Sequence, residues 1–508
     1  MKPHYMITTP IYYVNGSPHL GHAYTSIAAD IIARFKRLDG YDVFFLTGTD
    51  EHGQKVEQAA QSNDQTPQDF TKEISHQFRS MADRLQITYN DFIRTTEERH
   101  IKSCQALWNK IAQAGHIYLG SYEGWYSVRD ECYYGEDELI NTSDGRKLAP
   151  SGAEVKWLKE PSYFFDLSQW QDKLLEFYNQ HPNFVGPESR KNELLNFIKS
   201  GLRDLSISRT SFKWGIPVPN DDNHVMYVWF DALTNYISAL NYPDNTELWR
   251  FWPADLHLVG KEISRFHALY WPAFLMAADI EIPKRIYSHG WWTVEGEKMS
   301  KSVGNVIDPL ALIDEFGLDP LRFFLIREVP FGGDGDFSRR SLINRLNSEL
   351  CNDLGNLTQR TLAQVNRNCN GLIPEIGMRN ENDMDFLSQA YLLPERLREQ
   401  LDRQALNESL DSVWKIIRAS NSYIDQQAPW ALKKTDLRRM EVVLRVLIDT
   451  LRVIATCLQP FMPESMGKLL NQLGVKAEER QLKDLAHPLP SGRNLPVPVG
   501  IFPRFVEK

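Results

Sequence analysis

The sequence predicts an α/β fold, in which a parallel-sheet domain carries an inserted subdomain and is followed by a helical bundle. Near the start, an apolar run at residues 5–14, a helical pattern from His19 to about Arg37 and a second apolar run ending near Asp50 form a βαβ unit. Residues 257–280 repeat the order of strand and then helix. After about Ser338, apolar residues recur every three or four positions, which is typical of amphipathic helices.

The middle of the chain breaks this strand–helix alternation. From about Gly115 to His224 the sequence is aromatic and rich in turn residues, so we expect an inserted subdomain outside the sheet. The predicted parts are the first half of the sheet domain at 1–115, the insertion at 116–224, the second half at 225–290, a connecting region at 291–340 and the helical domain at 341–508. The final "LPVPVGIFPRFVEK" is expected to lie as a strap on the body.

Composition limits the classes of protein to which the chain can belong. With 42% hydrophobic and 24% charged residues among 508, it is globular rather than disordered. The start does not resemble a signal peptide, and no window has about 18 uncharged apolar residues, so we expect a cytoplasmic protein with no membrane span. The net charge of −9 argues against indiscriminate nucleic-acid coating, although residues 338–367 and 433–452 are locally basic. Taken alone, each of these two segments is better explained as an ordinary solvated helix face.

The cysteines predict neither a disulfide framework nor a thiolate metal site. The chain has 5 cysteines, none in a C-x-x-C pair: Cys104, Cys132, Cys351, Cys369 and Cys457. We expect them to behave as small hydrophobic residues.

The segment "VEGEKMSKSVGN", residues 294–305, is suited to binding a polyphosphate. It holds Lys298 and Lys301 with small hydroxyl donors, including Ser300, between two glycines. Ammonium groups and hydroxyls can close around phosphate oxygens as negative charge builds up. Taken alone, the segment is equally a solvated loop.

A second segment, "NGSPHLGH" at residues 15–22, adds an anion site of a different kind. It turns the chain out of a strand and begins a helix, where free N–H groups and the dipole favour anions. His19 and His22 share one helical turn, and Gly21 lets a nucleotide approach the backbone. A helix cap with two surface histidines is the alternative. With the lysine segment, this pair predicts one triphosphate held from opposite sides for attack at the α-phosphorus.

The order of the motifs resembles one family. "PHLGH" and "KMSKS", placed around a split parallel-sheet domain, resemble the HIGH and KMSKS signatures of class I aminoacyl-tRNA synthetases. Together with "TTPIYYVNGSPHLGH", "TGTDEHG", "YVWFDALTNYISAL", "VGKEISRFHALYWPAFL" and "QQAPWALKK", they resemble the methionyl-tRNA synthetases over essentially the whole chain. The resemblance implies a Rossmann-like catalytic domain, a connective insertion and a helical anticodon-binding domain.

The resemblance also implies a reaction. L-methionine would be activated with ATP to methionyl-adenylate and pyrophosphate, with Mg²⁺ accompanying the phosphates. Methionine would then pass to the terminal adenosine of tRNA(Met), both initiator and elongator. No protein general base is apparent for either step.

Site residues follow from the same resemblance. Asp50 would hold the methionine ammonium group as a carboxylate partner. A slot for the thioether would be formed by Ile11, Tyr13, Trp229, Ala232, Leu233, Tyr236, Phe266 and His267. Tyr236 and His267 would lie near the sulfur, whereas Phe266 is the member that a plain core role explains best.

The ATP contacts implied by the family lie in both motifs and in the second strand–helix unit. His19, Gly21 and His22 would meet the phosphates and base, and Lys298, Ser300 and Lys301 the leaving pyrophosphate. The catalytic set is His19, His22, Lys298 and Lys301. Gly260 and Glu262 would meet the ribose; many relatives carry Asp in place of Glu262, so its contact differs in reach.

In the helical domain, the resemblance implies anticodon contacts at Asn356, Arg360 and Trp430, with Asn352 on the same helix face. Amide and guanidinium groups bind base edges, and an indole stacks on an unstacked base. For Asn352 a helix-packing hydrogen bond is an equal alternative.

Two departures from many relatives shape further expectations. The stretch 124–148 contains only Cys132 where relatives have two C-x-x-C pairs, so we expect no zinc. The chain stops where some relatives append a dimerising tRNA-binding module, so we expect a monomer.

Three alternatives stay open at this stage. Another class I synthetase would usually need a larger editing insertion or zinc-binding thiols. A nucleotidyltransferase that adenylates a small acid would not need an anticodon reader. A non-catalytic RNA-binding protein would not need the intact histidine and lysine pairs.

Overall fold

The computed structural model describes residues 2–142, 145–244, 247–299 and 304–507, and only the backbone of Cys132 and Lys298. The chain forms two compact units. The sheet unit comprises His4–Pro18 and Phe44–His289. The helical unit comprises Met1–Pro3, His19–Val43 and Gly290–Lys508.

A seven-stranded sheet forms the centre of the sheet unit. In order across the sheet its strands are Val185–Gly186, Ile286–His289, Leu256–Gly260, His4–Thr8, Asp42–Asp50 and Tyr12–Tyr13, and Asp91–Arg94 also pairs with Asp42–Asp50. Five of its strand pairs run parallel, as the βαβ pattern predicts. The strand Asp42–Asp50 is buried from its second residue to its last, which explains its continuous apolar sequence.

The stretch predicted to be an insertion holds most of the antiparallel structure. Ile117–Ser127 pairs with Lys156–Phe165, which places aromatic residues along the two inner strands of a four-stranded antiparallel sheet. One part differs from the expectation that this stretch lies outside the sheet, because Val185–Gly186 pairs in parallel with Ile286–His289. A two-residue pairing leaves no periodic signal in the sequence, so only the fold reveals it.

The other elements of the sheet unit cover this framework. Its α-helices are Gln54–Ser62, Pro67–Arg84, Glu98–Gln113, Gln171–Gln180, Glu188–Lys199, Val228–Ser238 and Trp271–Ala277. Its remaining strands are Cys132–Tyr134, Ile140–Asn141, Lys147–Leu148, Leu205–Ser206, Ser208–Arg209, Pro217–Val218 and Asp221–Met226.

The helical unit begins with Leu20–Leu38, one residue from the predicted helix at each end. Its further α-helices are Pro309–Phe316, Leu318–Arg327, Arg339–Arg345, Asn356–Asn368, Glu381–Tyr391, Leu393–Asp402, Leu406–Gln427, Pro429–Thr435, Leu437–Leu458 and Pro463–Gln472. Three of the apolar residues that recur every three or four positions after Ser338 are buried: Leu346, Leu350 and Leu354. Their segment, Leu346–Gly355, is π-helical. Among the described residues, no helix is long and apolar enough to cross a membrane.

The predicted terminal strap contacts these helices. The backbone N–H of Phe505 donates to Asn347 Oδ1 at 2.8 Å, and Asn347 Nδ2 donates to the Phe505 carbonyl at 3.0 Å. The amide of Gln472 makes the same paired contact with the backbone of Val499. Two side-chain amides therefore pair with the otherwise extended backbone of the strap.

A buried ion pair holds the Leu20–Leu38 helix within the helical unit. Arg322 Nη2 donates to Asp30 Oδ2 at 2.7 Å, and neither side chain has exposed surface. The same guanidinium donates to the carbonyls of Pro460 and Phe461. Arg34 also donates to Asp30 at 2.7 Å, so the carboxylate is compensated from two sides.

Replacing Arg322 should destabilise the helical unit strongly. Arg322→Leu would leave Asp30 and two carbonyls without the guanidinium, and such a loss costs about 3–5 kcal/mol. The free energy of unfolding from urea titration measures it. Lys102→Ala, which removes the exposed pair with Asp244, serves as control and should cost about 1 kcal/mol or less. Equal losses in the two variants would contradict the importance of the buried pair.

Candidate functional site

A pair of histidines closes the start of the Leu20–Leu38 helix. The backbone N–H of Gly21 donates to His19 Nδ1 at 3.1 Å, and the backbone N–H of His19 donates to His22 Nδ1 at 3.1 Å. The two rings lie 3.8 Å apart. Because each Nδ1 accepts a hydrogen bond, each neutral ring carries its proton on Nε2. Both predicted phosphate contacts therefore have an N–H donor on the ring nitrogen that the cap does not use.

Gly21 lies closely against the His19 ring. A Cβ at this position would lie 3.0 Å from His19 Cε1, which is tighter than ordinary contacts between carbon atoms. A side chain here would require the capping His19 ring to shift by a few tenths of an ångström. The predicted role of Gly21, close approach to the backbone, thus has a second structural reason.

The lysine segment begins as a β-hairpin. Trp292–Val294 pairs antiparallel with Glu297–Lys298, and Gly335–Phe337 pairs in parallel with the first of these strands. The turn has positive φ at Glu295 and Gly296, and Asp336 Oδ1 accepts from the Gly296 N–H at 2.8 Å. Lys298 is thus the last residue of a strand. Ser300 and Lys301 lie outside the described residues.

The chain just after the lysine segment lies at the histidine pair. The N–H of Leu20, the first residue of the helix, donates to the Ile307 carbonyl at 3.1 Å. Tyr24, one helical turn further, contacts Trp292 of the hairpin, with ring centroids 5.5 Å apart. Residues on both sides of the signature thus lie at the first turns of the same helix.

In the sheet unit, the predicted ammonium partner Asp50 is the last residue of the Asp42–Asp50 strand. Its side chain is 2% exposed, and Oδ1 has no hydrogen-bond partner in the described structure. Burial raises the pKa of Asp50 well above its ordinary value, and the nearby carboxylates of Asp231 and Glu131 raise it further. A cation at this oxygen would relieve the cost of that burial.

The next two residues hold the end of this strand in place. Glu51 accepts two hydrogen bonds from Arg94, at 2.7 and 2.9 Å. His52 Nδ1 lies 2.7 Å from Asp231 Oδ2, and His100 Nε2 lies 2.7 Å from Asp231 Oδ1. Burial alone would raise the pKa of Asp231, but the two imidazoles outweigh it and lower the pKa to about 2.

Hydrogen bonding accounts for the one cluster of possible metal ligands that the described residues contain. His100, Cys104 and Asp231 place ligand atoms within 4.8 Å of one another. However, His100 Nε2 and Asp231 Oδ1 are 2.7 Å apart, closer than the roughly 3.3 Å that separates tetrahedral ligands at zinc bond lengths. We therefore interpret this cluster as a hydrogen-bonded network.

The apolar residues predicted for the methionine slot belong to one hydrophobic cluster. Trp229, Ala232, Leu233 and Tyr236 follow the i, i+3, i+4, i+7 pattern on the Val228–Ser238 helix and are buried. The rings of Trp229 and Phe266 stack at 3.8 Å. Ile11 and Tyr13 pack on the same core cluster.

Tyr236 and His267, both predicted to lie near the methionine sulfur, are hydrogen-bonded to each other. The Tyr236 hydroxyl donates to His267 Nε2 at 2.7 Å, and His267 Nδ1 donates to the Ile263 carbonyl at 3.0 Å. Burial lowers the pKa of His267 to about 4. The ring is therefore neutral near pH 7, which suits a slot for an uncharged thioether.

Gly260 and Glu262 occupy the end of the Leu256–Gly260 strand and the turn that follows. A Cβ at Gly260 would lie 2.5 Å from Glu262 Oε1, so the carboxylate lies against the glycine backbone. The two predicted ribose contacts are thus neighbours. The longer Glu side chain uses its extra length to fold back over this position.

A residue that sequence reasoning missed, Glu131, contacts Tyr13 of the predicted methionine slot. Its carboxylate accepts from the Tyr13 hydroxyl and lies 3.6 Å from Lys55 Nζ. It is 2% exposed, and burial raises its pKa. Its position in a turn-rich, polar stretch gave no signal of burial, whereas His52 stands directly beside Asp50 and could have been noticed.

In the helical unit, Arg360 and Trp430 share an open cavity of about 300 Å³. The cavity is lined by Gln359, Arg360, Ala363, Gln364, Arg367 and Trp430. The Arg360 guanidinium lies 5.5 Å from the Trp430 ring centroid and pairs with Asp425. Trp430 is 44% exposed, at the start of Pro429–Thr435.

The two predicted asparagines lie before this cavity on the same helical run. Asn352 and Asn356 are exposed, on Leu346–Gly355 and Asn356–Asn368 respectively. Neither lines the cavity. Gln364 and Arg367 do, and their spacing of four and seven from Arg360 was the sequence signal that could have found them.

Comparison with known proteins identifies relatives over the whole chain. The family described as "tRNA synthetases class I (M)" matches residues 5–362, and "Anticodon binding domain of methionyl tRNA ligase" matches residues 373–508. The methionine–tRNA ligase of Rickettsia bellii (strain RML369-C) is 56% identical over 100% of both chains. That of Brucella suis biovar 1 (strain 1330) is 54% identical over 99% of this chain and 98% of the relative.

Solved structures agree with these sequence matches. Mycobacterium tuberculosis methionyl-tRNA synthetase in complex with methionyl-adenylate matches with a TM-score of 0.97 and 48% identity, over 99% of this chain and 100% of that chain. Its apo form matches with a TM-score of 0.91 and 44% identity, over 100% and 99%.

The depressed pKa of His267 should make stability depend on pH. The folded state resists protonation until about pH 4, whereas the unfolded histidine takes up a proton near pH 6.5. This group's contribution is therefore present above pH 6.5 and falls as the pH drops towards 4, by roughly 1.4 kcal/mol per pH unit. Urea unfolding at several pH values measures the slope.

His267→Gln removes this contribution, so the stability difference between wild type and variant should narrow as the pH falls from 6.5 to 5. His181→Gln, at an exposed histidine of the same unit, is the control and should follow the wild type. A parallel decline of wild type and His267→Gln would show that His267 is not protonated on unfolding.

Proposed function

Since the chain belongs to the methionyl-tRNA synthetase family of class I tRNA synthetases, we propose that it is a methionine–tRNA ligase. It activates L-methionine with ATP to form methionyl-adenylate and pyrophosphate. It then transfers methionine to the 3′-terminal adenosine of tRNA(Met), initiator and elongator alike. The observation that carries this proposal is the buried Asp50 carboxylate beside an aromatic slot with a neutral His267.

The amino-acid slot supports methionine as the substrate. Its ammonium group would meet Asp50, whose buried Oδ1 has no partner among the described residues. Its thioether would lie among Trp229, Phe266 and Tyr236, where a polarizable sulfur contacts ring edges favourably. A cationic side chain would gain nothing from the neutral His267, so the slot favours an uncharged one.

In the first step, a methionine carboxylate oxygen attacks the α-phosphorus of ATP, and the bond to the β-phosphate oxygen breaks. The histidine pair supports this step by directing Nε2–H donors from a helix N-terminus, where anions are favoured. We place Lys298, Ser300 and Lys301 on the leaving pyrophosphate, and Gly260 and Glu262 on the ribose. Mg²⁺ would enter with ATP, because it is usually shared with substrate phosphates.

In the second step, a hydroxyl of the terminal adenosine of tRNA attacks the methionyl carbonyl carbon, and AMP leaves. We assign no protein general base. Anticodon contacts are proposed at Arg360 and Trp430, which share an exposed cavity, and at Asn352 and Asn356 on the preceding helix face.

Further parts of the proposal rest on the sequence. The functional division is a catalytic domain at 1–115 and 225–290, a connective subdomain at 116–224, a KMSKS and stem-contact region at 291–340 and an anticodon-binding domain at 341–508. We propose a monomer that acts in the cytoplasm. We propose no zinc, because residues 124–148 contain a single cysteine.

ATP–pyrophosphate exchange without tRNA tests the first step, with each of the twenty amino acids offered separately. Exchange with methionine alone is expected. Asp50→Asn should raise the KM for methionine roughly a hundredfold, since one partner of a buried charge pair is lost, and leave the KM for ATP nearly unchanged. Asp42→Asn, at the other end of the same strand, is the matched control. Exchange with another amino acid would overturn the substrate assignment.

Trp430→Ala tests the anticodon contact. It should lower kcat/KM for tRNA charging about tenfold or more, because a stacked base contributes about 1–3 kcal/mol. Methionine-dependent exchange should stay near that of the wild type. Tyr391→Ala removes another exposed aromatic side chain of the helical unit and should change neither assay. Equal losses of exchange and charging in Trp430→Ala would refute the assignment.

A further inference from the structure

Glu131 combines several unusual features at one position of the sheet unit. It is a non-glycine residue with a φ of +50°, in the turn between Ile117–Ser127 and Cys132–Tyr134. Its side chain is 2% exposed although it is a carboxylate. Left-handed backbone at a non-glycine residue and a buried charge both cost free energy, and such features concentrate at functional positions.

Glu131 contacts Tyr13, a residue of the proposed amino-acid slot. One carboxylate oxygen accepts from the Tyr13 hydroxyl and faces Lys55, whose ammonium group also lies 4.8 Å from the Tyr13 ring centroid. The backbone carbonyl accepts from the Tyr227 hydroxyl at 2.9 Å. Both the side chain and the backbone of Glu131 are therefore held by residues outside its own turn.

The absence of a side chain at Gly53 leaves space for the Glu131 carboxylate. A Cβ there would lie 2.8 Å from Glu131 Oε1, and Gly53 has a φ of +105°. Gly53 follows Asp50, Glu51 and His52, so Glu131 lies directly against the segment that follows the Asp42–Asp50 strand. The Glu131 turn, Tyr13 and the Asp50 strand end thus form one contact group.

We propose that Glu131 is a positioning residue of the amino-acid pocket: its carboxylate holds the Tyr13 hydroxyl, and so fixes Tyr13 as a wall of the methionine slot. This inference rests on the function proposed above. It assigns the inserted subdomain a part in amino-acid binding, through a hydrogen bond between residues 118 positions apart. Lys55 balances the carboxylate, which allows it to be buried there.

A double-mutant cycle in ATP–pyrophosphate exchange tests the proposal. Glu131→Ala and Tyr13→Phe should each raise the KM for methionine about tenfold, since each removes the same charge-assisted hydrogen bond. The double variant should be no worse than the worse single variant, because the two changes break one interaction. The KM for ATP should stay within about twofold of the wild type.

A conservative variant and a matched control separate positioning from general damage. Glu131→Gln keeps an oxygen that accepts from Tyr13 and should restore most of the affinity for methionine. Glu160 is another buried carboxylate of the inserted stretch that accepts from a tyrosine, Tyr133, at 3.2 Å. Glu160→Ala should lower the melting temperature and leave the KM for methionine unchanged.

The outcomes distinguish this inference from the function on which it rests. Without methionine-dependent exchange in the wild type, the proposed function itself fails. If the wild type exchanges but the Glu131 and Tyr13 effects are absent or multiply independently, the positioning role alone is overturned. If Glu131→Ala does not fold, Glu131→Gln and Tyr13→Phe test the proposal instead. Of these two variants, only Tyr13→Phe should raise the KM for methionine.

Discussion

The proposed amino-acid slot of the sheet unit depends on the ionised carboxylate of Asp231. It lies on the Val228–Ser238 helix, between the slot residues Trp229 and Ala232. Through His52 it joins the end of the Asp42–Asp50 strand, and through His100 it joins the Glu98–Gln113 helix. Three elements are thereby held around one buried charge, and the cost of burying that charge is offset only when both imidazoles are in place.

This constraint affects the neighbouring acids. Since Asp231 is ionised, its negative charge adds to the burial that raises the pKa of Asp50. Glu131 raises it as well, and Lys55 is the nearby cation that lowers it. A buried group with more carboxylates than cations favours a positively charged ligand, which is the electrostatic support for the ammonium contact proposed at Asp50.

In the helical unit, the corresponding constraint lies at the start of the Leu20–Leu38 helix. The histidines at the start of the Leu20–Leu38 helix satisfy backbone N–H groups that the helix leaves open, and this fixes the proton on Nε2 of each ring. The first helical N–H, that of Leu20, is instead satisfied by Ile307. The cap and the segment that follows the lysine signature are therefore parts of one structure rather than two independent motifs.

The slot residues at 229, 232, 233 and 236 followed from the family resemblance, whereas the sequence by itself determined two local elements: the helix capped by His19 and the buried Asp42–Asp50 strand. Each is encoded in one segment, because the spacing of apolar residues shows which positions are buried and capping residues mark where a helix begins. Only the tertiary structure decided the partners of Glu131 and Asp231, the strand Val185–Gly186 and the π-helical turns of Leu346–Gly355. These features depend on which distant segments meet. A buried polar group finds its hydrogen-bond partner among the residues packed around it, and the local sequence pattern does not show which residues those are.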